Sequence, residues 1–214
     1  MSLTFMTATY NEEKNIIGLL NLVAPFVDGI VVCDDGSTDD TLDLVTAWID
    51  GHENIPSRLI AIHHTGLPET VKHRALDSIP GDSWVLMLDG DESLSIKDLQ
   101  KVRAWVNTNP PQTHVWSNLD EYLDGVPAKS FLKCRVFKKS AVIFSPRIHE
   151  DESFSGQGIN LGLTVIHSKT ASKQIMREKE YLATYKRLLD SGQINTDRYN
   201  NLIDNHYFIR SLDE

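Results

Sequence analysis

The chain has 214 residues, 41% hydrophobic and 24% charged, with a net charge of −9. This is enough for a sizeable core and typical of a globular protein, and the acidic balance argues against broad contact with a polyanion. No apolar run approaches the roughly 20 residues of a membrane helix, Met1-Ser2-Leu3-Thr4 lacks the basic start of a secretion signal, and Cys33 and Cys134 form neither a disulfide framework nor a CxxC pair. A cytoplasmic protein is expected.

The first half alternates strand and helix. Thr4 to Thr9 reads as a strand and Asn15 to Val23 as a helix with Ile16, Leu19, Leu20 and Val23 on one face. Gly29 to Cys33 reads as a strand, Thr41 to Ile49 as a helix, and Leu59 to His63 as a third strand. Val71, Ala75, Leu76 and Ile79 mark a helix before a strand at Trp84 to Leu88. Ser95-Ile96-Lys97-Asp98 resembles a capping box opening a helix that carries Leu99, Val102 and Val106. Such alternation predicts a parallel sheet covered on both faces.

After Pro110-Pro111 the pattern changes to short β-like runs at 114–116, 131–137, 142–144 and 161–167. A helix is expected over Ser172 to Leu189, with Ile175, Leu182, Tyr185 and Leu189 in phase, and another over Asp197 to Ile209. One domain over 1–214 is expected, with a nucleotide-type half (1–109) and an antiparallel, helix-backed half (110–214).

Two acidic clusters stand at strand ends. Asp89-Gly90-Asp91 follows Trp84-Val85-Leu86-Met87-Leu88, and Asp34-Asp35-Gly36-Ser37-Thr38-Asp39-Asp40 follows Ile30-Val31-Val32-Cys33. Carboxylates there project from the sheet edge where α/β proteins bind ligands, and hard divalent cations prefer such oxygen donors. A composite nucleotide-and-metal site follows. Other motifs are excluded. There is no GxxxxGK[ST], His149-Glu150-Asp151 is not HExxH, and neither acidic loop has the Gly and Glu of an EF-hand. Gly156, Gly158 and Gly162 read as turn glycines rather than a dinucleotide cradle. Leu88-Asp89-Gly90-Asp91-Glu92-Ser93 comes near the motif of haloacid dehalogenase-type phosphatases, but three strands precede it and no second Asp pair follows.

Thr9-Tyr10-Asn11-Glu12-Glu13, Val32-Cys33-Asp34-Asp35-Gly36-Ser37-Thr38-Asp39 and Leu88-Asp89-Gly90-Asp91-Glu92 together resemble a family 2 glycosyltransferase of the GT-A fold. The second half is more loosely similar to the branch containing lipopolysaccharide-core glucosyltransferases. The shared features are a basic strand (Arg135 to Lys138), His149-Glu150, a strand ending in His167, and a basic helix with Lys173 and Arg177.

The resemblance implies a Rossmann-like, mainly parallel sheet flanked by helices, with a smaller antiparallel acceptor-side part and C-terminal helices. It implies an inverting transfer from a nucleotide diphosphate sugar, expected to be UDP-linked, to an acceptor hydroxyl on a surface-glycan or lipid-linked precursor. Localisation at the inner face of a membrane would suit such an acceptor. Nucleic acid is not the expected partner, modified phage DNA aside. Tyr10 would pack on the base, Asp34 or Asp35 would accept from a base N–H, and Asp89 would contact sugar hydroxyls. Ala8, Glu12 and Gly90 complete the donor motifs. Asp91 would ligate Mn²⁺ or Mg²⁺, with His167 as a further metal candidate. Glu150 is the implied base, and Asp151 is its competitor.

Ala8 stands where the family usually has Pro, and Lys72-His73 where it has Arg-Asn. Lys72 can reach a phosphate but lacks the fork of Arg. Asp39 and Asp40 are read as capping residues of the following helix. The reading from another class is a non-catalytic sugar-nucleotide-binding module, which joint retention of Asp89, Asp91 and Glu150 disfavours.

Overall fold

The computed structural model describes residues 1–143 and 152–204. Its centre is an eight-stranded sheet in the order β3-β2-β1-β4-β7-β6-β10-β5. β1 (Leu3–Thr9), β2 (Gly29–Asp34), β3 (Ser57–Ala61) and β4 (Trp84–Met87) form the parallel half. β5 (Glu92–Leu94), β6 (His114–Leu123), β7 (Val126–Lys138) and β10 (Gly158–Lys169) extend it. β7 pairs antiparallel with β4 and β6, β10 runs parallel to β6, and β5 closes the far edge antiparallel to β10. β8 (Val142–Ile143) and β9 (Ser153–Phe154) form a small separate ladder.

The unbroken apolar runs are explained by helices on both faces. Alternate residues of a strand point to opposite sides. Trp84 and Leu86 enter one core cluster, with Leu19 and Leu20 of α1 (Ile16–Val23), Val45 of α2 (Thr41–Asp50) and Val102 of α4 (Ile96–Asn107). Val85 and Met87 enter the other, with Val71, Ala75 and Leu76 of α3 (Pro68–Asp77). β1 and β2 divide their side chains the same way. Each fully buried aliphatic side chain contributes roughly 1.5–3 kcal/mol. Trp84 packs edge-on against Trp105, with centroids 4.8 Å apart.

The expected elements are present with shifted ends. β3 starts two residues before Leu59 and ends at Ala61, with one more bond to β2 beyond it, from the Ile62 N–H to the Asp34 carbonyl at 3.0 Å. α3 begins at Pro68, whose fixed φ suits a first helical position. β6 and β7 run well past the apolar cores read from sequence, and a turn with positive φ at Asp124 (49°) and Gly125 (80°) joins them. Ser95 caps α4, its Oγ accepting from the Asp98 N–H at 3.1 Å. α5 (Ala171–Asp190) and α6 (Thr196–Asp204) follow β10, and the expected run of α6 to Ile209 passes outside the described residues. Among those described, no helix is long and apolar enough to cross a membrane.

Candidate functional site

β1, β2 and β4 are parallel and neighbouring, so their following loops meet at one sheet edge. A cavity of about 280 Å³ opens there, walled by α3 and α5. Ala8, Tyr10, Asp35, Lys72, Asp89 and Gly90 line it, among the sequence-derived candidates. Glu12, Asp34, Asp91 and His167 do not. Glu150, Asp151 and His149 lie outside the described residues.

Much of the second acidic motif builds the loops. Asp34 accepts from the Ser37 N–H (2.8 Å), the Ser37 hydroxyl (2.5 Å) and the Thr9 hydroxyl (3.2 Å), closing the turn after β2. Gly36 sits in that turn at φ +72°, and a Cβ there would meet the His64 backbone nitrogen at 2.7 Å. Asp39 accepts from the Thr41 N–H at 3.0 Å and so caps α2, whereas Asp40 makes no side-chain cap bond. Asp35 accepts from the N–H groups of Thr65 (2.8 Å) and Gly66 (3.2 Å), and it is the member of the Asp34–Asp35 pair that faces the cavity. Beside it Tyr10 stacks on His64, with centroids 4.2 Å apart.

Around Asp89 the cavity becomes a charge network. Its Oδ2 accepts from Arg135 Nη2 at 3.1 Å, and its Oδ1 lies 3.5 Å from Lys72 Nζ. Burial opposes ionisation, but Lys72 and Arg135 outweigh it and hold Asp89 well below the usual carboxylate range. Arg135 is buried and also donates to Glu92. Burial and the nearby Asp89 charge push Glu92 up against the pull of Arg135. Glu152 lies 3.6 Å from Lys72 and 3.1 Å from Lys133, and both Glu152 and Lys133 line the cavity.

Gly90 is required by what lies beneath it. A Cβ there would meet Glu12 Cγ at 2.6 Å. Glu12 is 2% exposed and pairs with Lys173 (2.5 Å) and Arg177 (3.3 Å) of α5. Those cations also stand 3.8 Å from Asp91 Oδ2. Asp91 Oδ1 faces His167 Nε2 at 3.1 Å, yet both atoms are buried and off the direction a hydrogen bond needs. Burial would raise the Asp91 carboxyl, but His167, Arg177 and Lys173 bring it down to about 2.

Two orphaned donor atoms at this separation fit one divalent cation. Adjacent ligands of an octahedral Mg²⁺ sphere stand roughly 3 Å apart. Among the described residues no three His, Cys, Asp or Glu side chains converge as a complete cage. A cation held by Asp91 and His167 alone would need further oxygens from a bound ligand to complete its sphere.

Glu152, His64 and Tyr181 also line this cavity and stand in no motif that marks them in the sequence, whereas Lys133 opens the dense basic run 133–139. The α5 residues carry one legible signal, because Lys173, Arg177 and Tyr181 recur every fourth residue, on one helix face. Both cysteines are free and buried, with thiols pushed up by burial to about 11 (Cys33) and 12 (Cys134), so neither is a nucleophile.

The model of glycosyl transferase family 2 matches residues 4–159. No curated protein is similar enough in sequence to pair with the chain. Among solved structures, S. aureus TarS 1–349 superposes with a TM-score of 0.58 at 16% identity, over 95% of this chain and 69% of that one. The same protein in complex with UDP gives 0.56, and another TarS structure, of which this chain covers 42%, gives 0.53. GalNAc-T7 with UDP, GalNAc and Mn²⁺ gives 0.61 at 8% identity, over 96% of this chain and 54% of that one. At these identities the structures share the fold, which is the GT-A arrangement expected from the motifs. The match over 4–159 spans both acidic motifs and most of the sheet, and by it the chain belongs to glycosyl transferase family 2.

Proposed function

We propose that this chain is one domain that transfers a sugar from a UDP-linked donor to an acceptor hydroxyl with inversion, using a divalent metal held by Asp91 and His167. The carrying observation is the buried, mutually facing and unbonded pair Asp91 Oδ1 and His167 Nε2, beside a cavity that Asp89 and Tyr10 line. Similar folds solved with UDP, one also with Mn²⁺, support the choice of donor and metal. When bound, the metal neutralises charge that develops on the departing diphosphate.

The chain's own residues divide the remaining work. Tyr10 and Asp35 hold the base, and Lys72 and Asp89 meet the donor's polar groups. Lys173 and Arg177 stand near Asp91 as further cationic partners for a diphosphate. The acceptor proton falls to Glu150, or to Asp151. Neither is described, but Glu152 immediately after them lines the cavity, which supports a carboxylate from this segment at the acceptor mouth. A surface-glycan or lipid-linked precursor is the proposed acceptor. The comparisons identify the family and not a branch within it.

A panel of nucleotide sugars with Mn²⁺, scored for release of the nucleotide diphosphate, tests the reading. A UDP-sugar should turn over. Glu150→Gln should lower transfer roughly 10²–10⁴-fold, the worth of a positioned base, with UDP affinity retained. Turnover of no nucleotide sugar would overturn the enzyme reading. Full activity in Glu150→Gln with loss in Asp151→Asn would reverse the two roles.

A further inference from the structure

The register of three neighbouring strands aligns Glu121 of β6, His167 of β10 and Glu92 of β5 in one row across the sheet. Partners in register share a face, so the His167 ring stands between two carboxylates. Its Nδ1 is 3.5 Å from Glu121 Oε1 and 3.9 Å from Glu92 Oε1. The row is buried, with His167, Glu121 and Glu92 side chains 11%, 12% and 0% exposed.

The two carboxylates are not equivalent. Glu92 Oε1 already accepts from Arg135, and its Oε2 accepts from the Asp89 N–H at 3.1 Å. Glu121 is anchored from outside, with Lys169 Nζ donating to Oε1 at 2.6 Å. A carboxylate oxygen accepts more than one donor, so Oε1 has capacity for a ring N–H as well. The 3.5 Å separation is longer than a formed hydrogen bond, and a small ring rotation closes it.

We propose that Glu121 is the positioning residue of His167, accepting its Nδ1–H and so fixing the tautomer whose Nε2 lone pair faces Asp91. This rests on the reading that Asp91 and His167 share a divalent cation. A ligating histidine needs a free electron pair on the metal side, and a hydrogen-bond acceptor on its other nitrogen secures both tautomer and ring orientation. With Nδ1 turned to Glu121, Nε2 is the ring nitrogen left to face a cation beside Asp91 Oδ1, 3.1 Å away.

The test combines ¹⁵N-histidine NMR of the EDTA-treated protein with Mn²⁺ titration followed by electron paramagnetic resonance. Wild type should show His167 protonated on Nδ1 and should bind Mn²⁺. Glu121→Leu should lose that tautomer preference and weaken Mn²⁺ binding roughly 10–100-fold, the usual worth of such an outer partner. Glu121→Gln, which keeps one acceptor oxygen, should lie between the two and serves if the leucine variant does not fold. Lys169→Ala breaks the same ion pair but leaves the Glu121 carboxylate, so it should keep the wild-type tautomer. If Mn²⁺ binds wild type and both Glu121 variants equally with an unchanged tautomer, the positioning role is overturned and the metal reading stands. If no variant binds Mn²⁺ while the Nδ1 proton still depends on Glu121, the metal reading falls and the positioning of His167 survives.

Discussion

At Gly90 a missing side chain tells more about the site than the carboxylates on either side of it. The volume a methyl would take is filled by Glu12, which cannot swing away because Lys173 and Arg177 hold it. Gly90→Ala should therefore cost about 1–3 kcal/mol of overpacking and disturb Asp89 and Asp91 together. A melting curve and a UDP titration check both, and an Ala variant of wild-type stability would show that Glu12 is free to move. The Asp91 carboxyl makes a second residue-scale prediction. Its folded pKa of about 2 lies below the ordinary carboxylate value. Its stabilisation is thus present above about pH 4 and is lost as pH falls through 2, and it is worth roughly 2 kcal/mol. In EDTA, the stability gap between wild type and Asp91→Asn should be widest near neutrality and narrow on acidification, as thermal melts across pH would show. The placing of Tyr10, Asp89 and Asp91 just after strand ends was legible because an apolar run and the spacing of the motif after it are sequence properties. The division of labour between Asp34 and Asp35 was not, because it depends on which loop folds back over each. The Thr65-Gly66 turn lies about thirty residues away and claims Asp35.

At the scale of elements, the β6–β7 ribbon shows what periodicity misses. Its outer half, from Val126 to Leu132, is exposed and carries no one-sided apolar pattern, so the strand was readable in sequence only from Phe131 onward. The turn that fixes its register is Asp124-Gly125, with the positive φ at both positions that two-residue hairpins favour. Gly125→Ala meets nothing within 4 Å, so its cost should be backbone strain alone, about 1 kcal/mol. Chemical denaturation measures it, and a neutral result would mean that the turn relaxes to another type. β5, three residues long, is too short for any periodic signal, yet it places Glu92 beside His167. α5 was expected to bury an apolar stripe. It buries Tyr185 and Leu188 but also Glu178 and Thr184, and its Arg177, Glu180 and Tyr181 line the charged cavity.

For the whole molecule, the net charge of −9 coexists with a site rich in buried cations. Lys72 keeps its proton despite burial because Asp89 and Glu152 sit beside it, and Arg135 is held between Asp89 and Glu92. The sheet brings these groups together from both halves of the chain, β4 and α3 from the first and β7, β10 and α5 from the second. That convergence was readable in outline from the family motifs, but not residue by residue, since antiparallel register decides which residues of β7 and β10 meet the DGD turn. On the proposed reading, Asp91 engages the nucleotide diphosphate through a cation. Titration calorimetry of UDP with Mn²⁺ and with EDTA, on wild type and on Asp91→Asn, tests it most directly. Wild type should bind UDP tightly only with Mn²⁺, and Asp91→Asn should bind weakly and equally in both conditions. Equal affinity of wild type with Mn²⁺ and with EDTA would show that Asp91 does not meet the diphosphate through a metal.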